Sequence, residues 1–329
     1  MTLILGIETS CDETSAAVVE DGRRVLSNVV KTQMSHKDFG GVVPDLSSRE
    51  HVQYIYEVIE EAVLKAEISI SQIDAVSAVN GPGLVGSLMV GLTAAKGISL
   101  RQNKPFIATD HVKGHIYGNV LTSGYPEYPS LSLVVSGGHS SIFLVDKDFE
   151  TREIGRTLDD AAGEAFDKCA KMLGLGYPGG PALERAAEGG DKQFKKFPIS
   201  KLDGFNFSFS GLKTSVMYYI KDEGAKSVSK NINDITASIE YAIVEQLIRT
   251  FLKAYAVHKT KSIMLAGGVS ANRLLRRRFE DEFKKRGVSV YIPEMRFCTD
   301  NAALTAGIAY RDFIKNKFSP IDTGVYSRS

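Results

Sequence analysis

The chain has 329 residues, 43% hydrophobic and 24% charged, so it can bury a real core and is long enough for about two domains. Lysine and arginine total 40 against 39 aspartate and glutamate residues, and this balance gives no global electrostatic argument for a polyanionic partner. The three cysteines form no close pair, and there is neither a basic leader nor a membrane-length apolar stretch, so we expect a cytoplasmic location and no membrane association.

The first predicted elements form a β-hairpin. Residues 3–7 and 15–19 read as strands on either side of a Ser/Thr-rich turn. The same pattern returns in residues 131–135 and 141–145, which flank the turn at residues 136–139. The repetition predicts two related halves.

Each half also contains a strand that leads through a glycine turn into a helix. Residues 74–79 precede the turn at residues 80–83, and residues 261–266 precede Gly267 and Gly268, with a helix beginning near Asn272. Duplicated α/β halves of this kind are what the two-lobed actin-like ATPase and sugar-kinase (ASKHA) fold would produce. Two unrelated α/β domains with similar hairpins are the alternative.

Helical periodicity and prolines predict the domain organisation. Apolar residues recur at helical spacing in residues 47–66, 235–256 and 301–313. Pro126 and Pro129 precede the second hairpin and mark a boundary. We therefore expect an N-terminal lobe over residues 1–127 and a C-terminal lobe over residues 128–329, with the last helix returning to the first lobe.

His111 and His115 form a candidate metal site. On a helix, a spacing of four residues places both imidazoles on one face, close enough to share a cation. Metalloproteases with this spacing carry a glutamate beside the first histidine, and Val112 at that position cannot act as the base. Asp300 is a candidate third ligand that competes with a role as a helix N-cap. Such a set suits ferrous iron or zinc; two solvated or capping histidines are the alternative.

Three glycine-rich turns in the second half indicate a nucleotide site. Residues 136–138 follow a strand, residues 177–181 open a helix with Pro181 at its expected first position, and residues 267–272 form a strand-to-helix turn. None matches the Walker or dinucleotide fingerprint, which argues against a P-loop ATPase or a dehydrogenase. Taken singly, such a turn is more often only a tight connection between two elements than a nucleotide-binding turn.

Charged residues in the second half stay open to two interpretations. Asp167 lies on a predicted helix, where an acid is most often a solvated surface group. Lysines cluster in residues 192–201, and arginines in residues 273–278 are followed by basic residues 284–286. Such runs usually form a solvated face, but the arginines next to a nucleotide turn are candidates for phosphate contacts.

Nine sequence motifs are spread along the chain, at residues 6–14, 40–44, 80–83, 111–115, 136–139, 176–180, 208–213, 267–272 and 298–301. By these motifs, and over nearly its whole length, the chain resembles the TsaD family of tRNA threonylcarbamoyladenosine transferases. The Cys-Thr-Asp-Asn form of the last motif, without a fused kinase domain, is similar to bacterial members.

The resemblance implies the residues of two sites. A divalent metal, usually assigned as Fe²⁺ with Zn²⁺ or Mg²⁺ as alternatives, would be held by His111, His115 and Asp300. An adenylate or ATP-type nucleotide would be bound by Val134, Val135, Ser136, Gly137, Gly138, Asp167, Gly180, Glu184 and Asn272. Glu184 is one methylene longer than the aspartate that relatives often carry there. No residue stands out as the catalytic base.

The resemblance also implies a reaction and partners. A threonylcarbamoyl group would pass from threonylcarbamoyl-adenylate to the exocyclic N6 amine of the adenosine just 3′ to the anticodon, in tRNAs that read codons beginning with A, with release of AMP. Implied partners are tRNA, the actin-like paralogue TsaB and the P-loop ATPase TsaE, with the adenylate supplied by a TsaC/Sua5-type enzyme. A small-molecule kinase or ATPase of the same superfamily and a nucleotide-dependent scaffold are the rival functions.

Overall fold

The computed structural model describes residues 1–36 and 41–327, which form two compact α/β units. The first unit consists of Met1–Tyr125 and Pro293–Ser329, and the second of Pro126–Ile292. Gly40, which opens the motif at residues 40–44, lies outside the described residues. Within the described ranges, no helix combines the length and the apolar character that crossing a membrane requires.

The described residues form ten strands and nine α-helices. The strands are β1 (Leu3–Glu8), β2 (Glu13–Glu20), β3 (Arg24–Thr32), β4 (Ala75–Gly81), β5 (Phe106–Asp110), β6 (Ser130–Val135), β7 (Ser140–Val145), β8 (Thr151–Arg156), β9 (Ser262–Ala266) and β10 (Ser289–Tyr291). The helices are α1 (Pro44–Lys65), α2 (Val85–Gln102), α3 (His111–Ser123), α4 (Ala162–Met172), α5 (Gly179–Ala186), α6 (Ser210–Lys230), α7 (Ile232–His258), α8 (Arg273–Lys284) and α9 (Ala302–Ile314). Short 3₁₀ turns cover Ile70–Gln72, Gly268–Ala271 and Met295–Phe297.

The sheet of the first unit is covered on both faces. Its strand order is β3-β2-β1-β4-β5, with β1 antiparallel to β2 and parallel to β4. Alternate residues of β1 point to opposite layers, so Ile4 packs with Ala302 and Ala306 of α9 while Leu5 packs with Leu92 of α2. A strand buried on both faces reads as a continuous apolar run, which is what the sequence has at this position.

The sheet of the second unit repeats this topology. Its order is β10-β9-β6-β7-β8, in which β6 is antiparallel to β7 and parallel to β9, as β1 is to β2 and β4. The internal duplication predicted from the hairpins and the strand-glycine-helix segments is therefore confirmed. The core of the second unit is rich in aromatic rings. Phe251 of α7 packs on Phe279 and Phe283 of α8, with ring centroids 5.1 and 5.6 Å apart.

One predicted helix start was wrong. Helix α5 begins at Gly179, so Pro181 is its third residue and not its first. The first four N–H groups of a helix have no intrahelical acceptor, and a proline is tolerated throughout this turn. The proline therefore indicated the helix correctly but not its first residue.

Candidate metal centre and glycine-rich turns

Helix α3 begins with the first candidate ligand. The Asp110 side chain caps the helix by accepting the N–H of Lys113 at 2.8 Å, and its other oxygen accepts the hydroxyl of Tyr326 at 2.6 Å. These bonds fix the start of α3 and so the place of His111. The predicted shared face is confirmed, because the rings of His111 and His115 lie 4.6 Å apart, edge to face, and both are buried.

Asp300 completes a three-residue group. Its Oδ1 lies 3.0 Å from Nε2 of His115 and 3.7 Å from Nε2 of His111. The N-cap of α9 is Asn301, so the competing interpretation of Asp300 as the helix cap is wrong. One ligand atom from each of the three residues lies within 4.8 Å of the others, and the group could hold a metal ion.

The surroundings of these side chains fit a cation. His115 is 1% exposed; among the described residues its Nδ1 has no hydrogen-bond partner, and its Nε2 faces Asp300 at 3.0 Å without hydrogen-bond geometry. A buried polar group of this kind is costly unless something binds it. Burial lowers the pKa of His111, but the negative charges of Asp300 and Glu8 outweigh it and raise this pKa to about 9. The pocket therefore favours positive charge.

Glu8 orients His111 through the ring nitrogen that faces away from Asp300. Its Oε2 lies 3.3 Å from Nδ1 of His111, while its Oε1 accepts the N–H of Ser10 at 2.6 Å. The Ser10 hydroxyl also lies 3.1 Å from the same imidazole nitrogen. A carboxylate on the far nitrogen of a ligating histidine fixes the ring and raises its basicity. Glu8 was not among the residues predicted from the sequence, although an acid at the end of a buried apolar strand was a usable signal.

We expect Glu8→Gln to weaken metal binding about 10- to 100-fold, because the neutral amide no longer supports the His111 ring as a charged acceptor does. Competition with a chromophoric chelator measures the dissociation constant of the metal. Glu20→Gln removes the same charge from the end of β2, where Glu20 pairs with Arg24, and should leave the affinity unchanged. Equal affinities for the two variants would contradict the role given to Glu8.

The turn between β1 and β2 and the start of β2 place further acids near Asp300. Burial, with Asp300 and Asp12 nearby, raises the pKa of Glu13 well above its usual range. His51 of α1 holds this turn, since its Nε2–H donates to the carbonyl of Cys11 at 3.0 Å and its Nδ1 accepts the Thr14 hydroxyl at 2.7 Å. Burial lowers the pKa of His51, in keeping with a neutral ring. A bound cation would relieve the repulsion among the carboxylates.

The first glycine-rich turn of the second unit is open. Val134 and Val135 are fully buried on β6, so their backbone rather than their side chains is available to a ligand. Ser136 closes the turn, since its N–H donates to the carbonyl of His139 at 2.8 Å and its hydroxyl accepts the His139 N–H at 3.1 Å. Gly137 and Gly138 are exposed, and a Cβ on either would meet nothing within 4 Å. The turn has room for a phosphate group against its backbone.

The other predicted nucleotide residues form two pairs of contacts. Asp167 is half-buried and accepts the N–H of Gly179 at 2.7 Å, which ties α4 to the start of α5 beside Gly180. Glu184 accepts the N–H of Arg273 at 2.9 Å. Asn272 caps α8 by accepting the N–H of Leu275 at 2.8 Å, so Glu184 and Asn272 meet at the start of α8.

Glu240, a buried acid in contact with Asn272, was not predicted from the sequence. Its Oε1 accepts the Nδ2–H of Asn272 at 2.7 Å, and the residue is 7% exposed. Burial raises its pKa, the Asn272 bond lowers it and nearby Glu184 raises it, which brings the pKa to about 7.

The raised pKa of Glu240 predicts a pH-dependent stability. A carboxyl group with a raised pKa contributes stability that is complete below its ordinary value of 4.5 and is lost as the pH rises through about 7. Glu240→Gln keeps the acceptor for Asn272 but cannot ionise. We expect the variant to gain up to about 3 kcal/mol over wild type between acid and neutral pH, as measured by urea unfolding. Parallel stability curves for the two proteins would contradict this.

Comparisons with known proteins agree along the length of the chain. The TsaD family model, described as tRNA N6-adenosine threonylcarbamoyltransferase, matches residues 24–307. The chain is 46% identical to the tRNA N6-adenosine threonylcarbamoyltransferase of Caldicellulosiruptor saccharolyticus, covering 98% of this chain and 96% of that protein. It is 45% identical to the protein of the same name from Porphyromonas gingivalis, covering 99% and 98%.

Solved structures share the fold at low sequence identity. HypF from T. kodakarensis has a TM-score of 0.66 and 12% identity, covering 97% of this chain and 48% of that chain. The Acidaminococcus fermentans (R)-2-hydroxyglutaryl-CoA dehydratase component A has a TM-score of 0.59 and 16% identity, covering 95% and 99%. These likenesses confirm the predicted actin-like ASKHA fold class.

Proposed function

Because the chain belongs to the TsaD family of tRNA N6-adenosine threonylcarbamoyltransferases, we propose that it performs this transfer on tRNA. The donor is threonylcarbamoyl-adenylate, and the acceptor is the N6 amine of the adenosine just 3′ to the anticodon in tRNAs that read codons beginning with A. The observation that carries the proposal is 46% identity to a curated transferase over 98% of the chain. The comparisons support this function and not the kinase or scaffold alternatives.

The reaction is an acyl transfer from a mixed anhydride. The carbamoyl carbon forms a bond to the adenine nitrogen, its bond to the phosphate oxygen breaks, AMP leaves and the amine loses a proton. Such chemistry needs positioning of two substrates and stabilisation of developing negative charge more than a nucleophile from the protein.

We propose that His111, His115 and Asp300 hold one divalent ion. The pairing of two imidazoles with a carboxylate supports Fe²⁺, with Zn²⁺ and Mg²⁺ as the alternatives. When bound, such an ion supplies Lewis acidity toward phosphate or carbamoyl oxygens. Glu8 and Ser10 keep the ring of His111 in the orientation that the site needs, as their contacts with its Nδ1 support.

We propose that the adenylate binds in the second unit. The open backbone of Gly137 and Gly138 supports a phosphate position at the first glycine turn. The meeting of Glu184 and Asn272 at the start of α8 supports contacts to the nucleoside there, with Asp167 and Gly180 on the neighbouring helices. The carboxylate of Glu184, one methylene longer than aspartate, accepts the N–H of Arg273. The same carboxylate would therefore contact both this N–H and a ribose hydroxyl of the nucleotide.

We further propose the family's protein partners, a TsaB-type paralogue and a TsaE-type ATPase, with the adenylate made by a TsaC/Sua5-type enzyme. Helices α1 and α2 of the first unit pack together and leave large apolar side chains exposed. These are Val52, Tyr56, Leu64, Val85, Met89 and Leu100. Exposed apolar side chains on two helices that pack together are a feature of protein interfaces and support the TsaB contact. Action on tRNA supports a cytoplasmic location.

Transfer of labelled threonine tests the proposed function. The purified chain, the partner subunits and fresh threonylcarbamoyl-adenylate are incubated with a transcript of a tRNA that reads codons beginning with A. We expect label on this tRNA and none on a matched transcript with guanosine in place of the target adenosine. Failure to label the first transcript with active partners, or equal labelling of both, would overturn the proposal.

A further inference from the structure

The second unit carries a basic segment, residues 191–201, for which the proposed chemistry gives no role. It runs without regular structure between α5 and α6. Its four lysines are exposed, and Phe194, which lies among them, is 42% exposed. These lysines are Lys192, Lys195, Lys196 and Lys201.

The basic segment is held on α7 despite its irregular backbone. The N–H of Asp191 donates to Oδ1 of Asp234 at 2.8 Å, and the N–H of Lys195 donates to the hydroxyl of Ser238 at 3.2 Å. Phe197 anchors the far side in the core, with its ring 5.9 Å from that of Tyr219. The lysines therefore extend from a defined platform rather than from a loose loop.

The nearby acids do not neutralise these lysines. Asp234 accepts a backbone N–H, as described above, and Asp191 accepts the N–H of Gln193 at 2.8 Å. Lys192 and Lys195 instead lie 5.3 and 5.0 Å from the ring centroids of Tyr241 and Tyr219. In the part of the chain that the structure describes, none of the four lysines forms an ion pair with a carboxylate.

The arginines near α8, the other basic cluster in the sequence, are in a different state. Arg273 lies 3.7 Å from Glu184, Arg278 lies 3.0 Å from Glu245, and Arg286 lies 3.1 Å from Glu282. Three of the seven basic residues in this cluster are therefore paired with acids, whereas, among the described residues, the four lysines of the basic segment are not. The structure thus favours the basic segment over α8 as a surface for a polyanion, a choice that the sequence left open.

We infer that the basic segment is a docking surface for the phosphate backbone of RNA, with Phe194 placed to stack on an unpaired base. Unpaired exposed lysines gain most from phosphate contacts, because they release the counterions of the nucleic acid without first breaking an ion pair. An exposed aromatic ring between cations is the usual platform for a single-stranded base. The inference rests on the proposed function in one respect: the RNA is taken to be the tRNA substrate.

The test compares two variants of equal charge change in the full chain. The segment variant is K192Q/K195Q/K196Q/K201Q. The control variant is K221Q/K226Q/K230Q/K285Q, which replaces exposed lysines of α6 and the end of α8 that lie among acids such as Asp222, Glu223 and Glu282. Binding of tRNA is measured directly at several salt concentrations, and transfer kinetics are measured in parallel.

We expect the segment variant to bind tRNA about 10- to 100-fold more weakly at about 0.1 M salt, with the slope of log affinity against log salt reduced by about 3. Its KM for tRNA should rise accordingly, while kcat and the affinity for the adenylate stay unchanged. Phe194→Ala should weaken tRNA binding about 5-fold or more with little change of slope. The control variant should resemble wild type.

Equal affinity and slope for the segment variant and wild type would overturn the inference, as would an equal loss in the control variant. The direct binding measurement separates this inference from the proposed function. If wild type transfers no threonylcarbamoyl group but the segment variant alone loses tRNA binding, the docking surface stands and the transferase proposal falls. If transfer proceeds normally in the segment variant at limiting tRNA, the docking surface falls and the transferase proposal stands.

Discussion

Replacing His115 with alanine is expected to abolish stoichiometric metal binding and to slow threonylcarbamoyl transfer to tRNA at least about 100-fold. His115 is almost fully buried, its Nε2 lies 3.0 Å from Asp300, and no other imidazole stands on that turn of α3. Alanine removes one of the three protein ligands, and water is a weaker ligand than the lost imidazole nitrogen. Asp300→Ala should have the same effect, because it removes the carboxylate of the group.

Metal content by mass spectrometry and transfer of labelled threonine measure the two effects separately. His258→Ala is the matched control, since it removes a histidine from the end of α7 in the second unit. Full metal content in both ligand variants would show that the ion binds elsewhere. Loss of metal with an unchanged transfer rate would show that the ion is dispensable for the reaction.

Replacing Gly267 with alanine is expected to lower the free energy of unfolding by about 2–4 kcal/mol. Gly267 has φ 87° and ψ 166°, a backbone conformation that is nearly confined to glycine. A Cβ at this position would lie 2.4 Å from the carbonyl oxygen of Val135. The backbones at Val135 and Gly267 cannot move apart freely, because β6 and β9 are paired through Val134 and Ala266, the residues just before them.

Gly268→Ala is the matched control one residue along the chain. A Cβ on Gly268 would meet nothing within 4 Å, so its effect should stay within about 0.5 kcal/mol. Urea unfolding compares the two variants, and binding of the adenylate should weaken only in the first, because Val135 leads into the turn proposed to bind it. Equal stabilities would show that the close approach of Gly267 to β6 does not constrain the fold.

Much of the fold was predictable because its signals are local. The apolar runs of the strands and the polar turns between them predicted both hairpins, and the glycine turns predicted the later strand-to-helix units. Pairing between distant strands, such as β6 with β9, has no local signal and was not predicted from the sequence. His111 and His115 were predictable as neighbours for the same reason, since four residues on a helix span about one turn.

The rest of the candidate site depends on contacts between distant segments. Asp300 was a candidate third ligand from the sequence, but only the family resemblance assigned it to the metal, because no spacing rule links it to α3. Glu8 and Glu240 carry no local motif, and their effects arise from burial next to His111 and Asn272. The sequence likewise could not show that arginines near α8 are paired with acids from other segments of the second unit, which decided between the two basic clusters.

The most direct test of the central claim is nucleoside analysis of tRNA after reaction with the purified chain, its partners and threonylcarbamoyl-adenylate. Our account predicts that the adenosine 3′ to the anticodon becomes threonylcarbamoyladenosine, with one AMP released for each modified nucleoside, and that the Asp300→Ala protein yields neither. Release of AMP without the modified nucleoside, or an equal yield from the Asp300→Ala protein, would contradict the account.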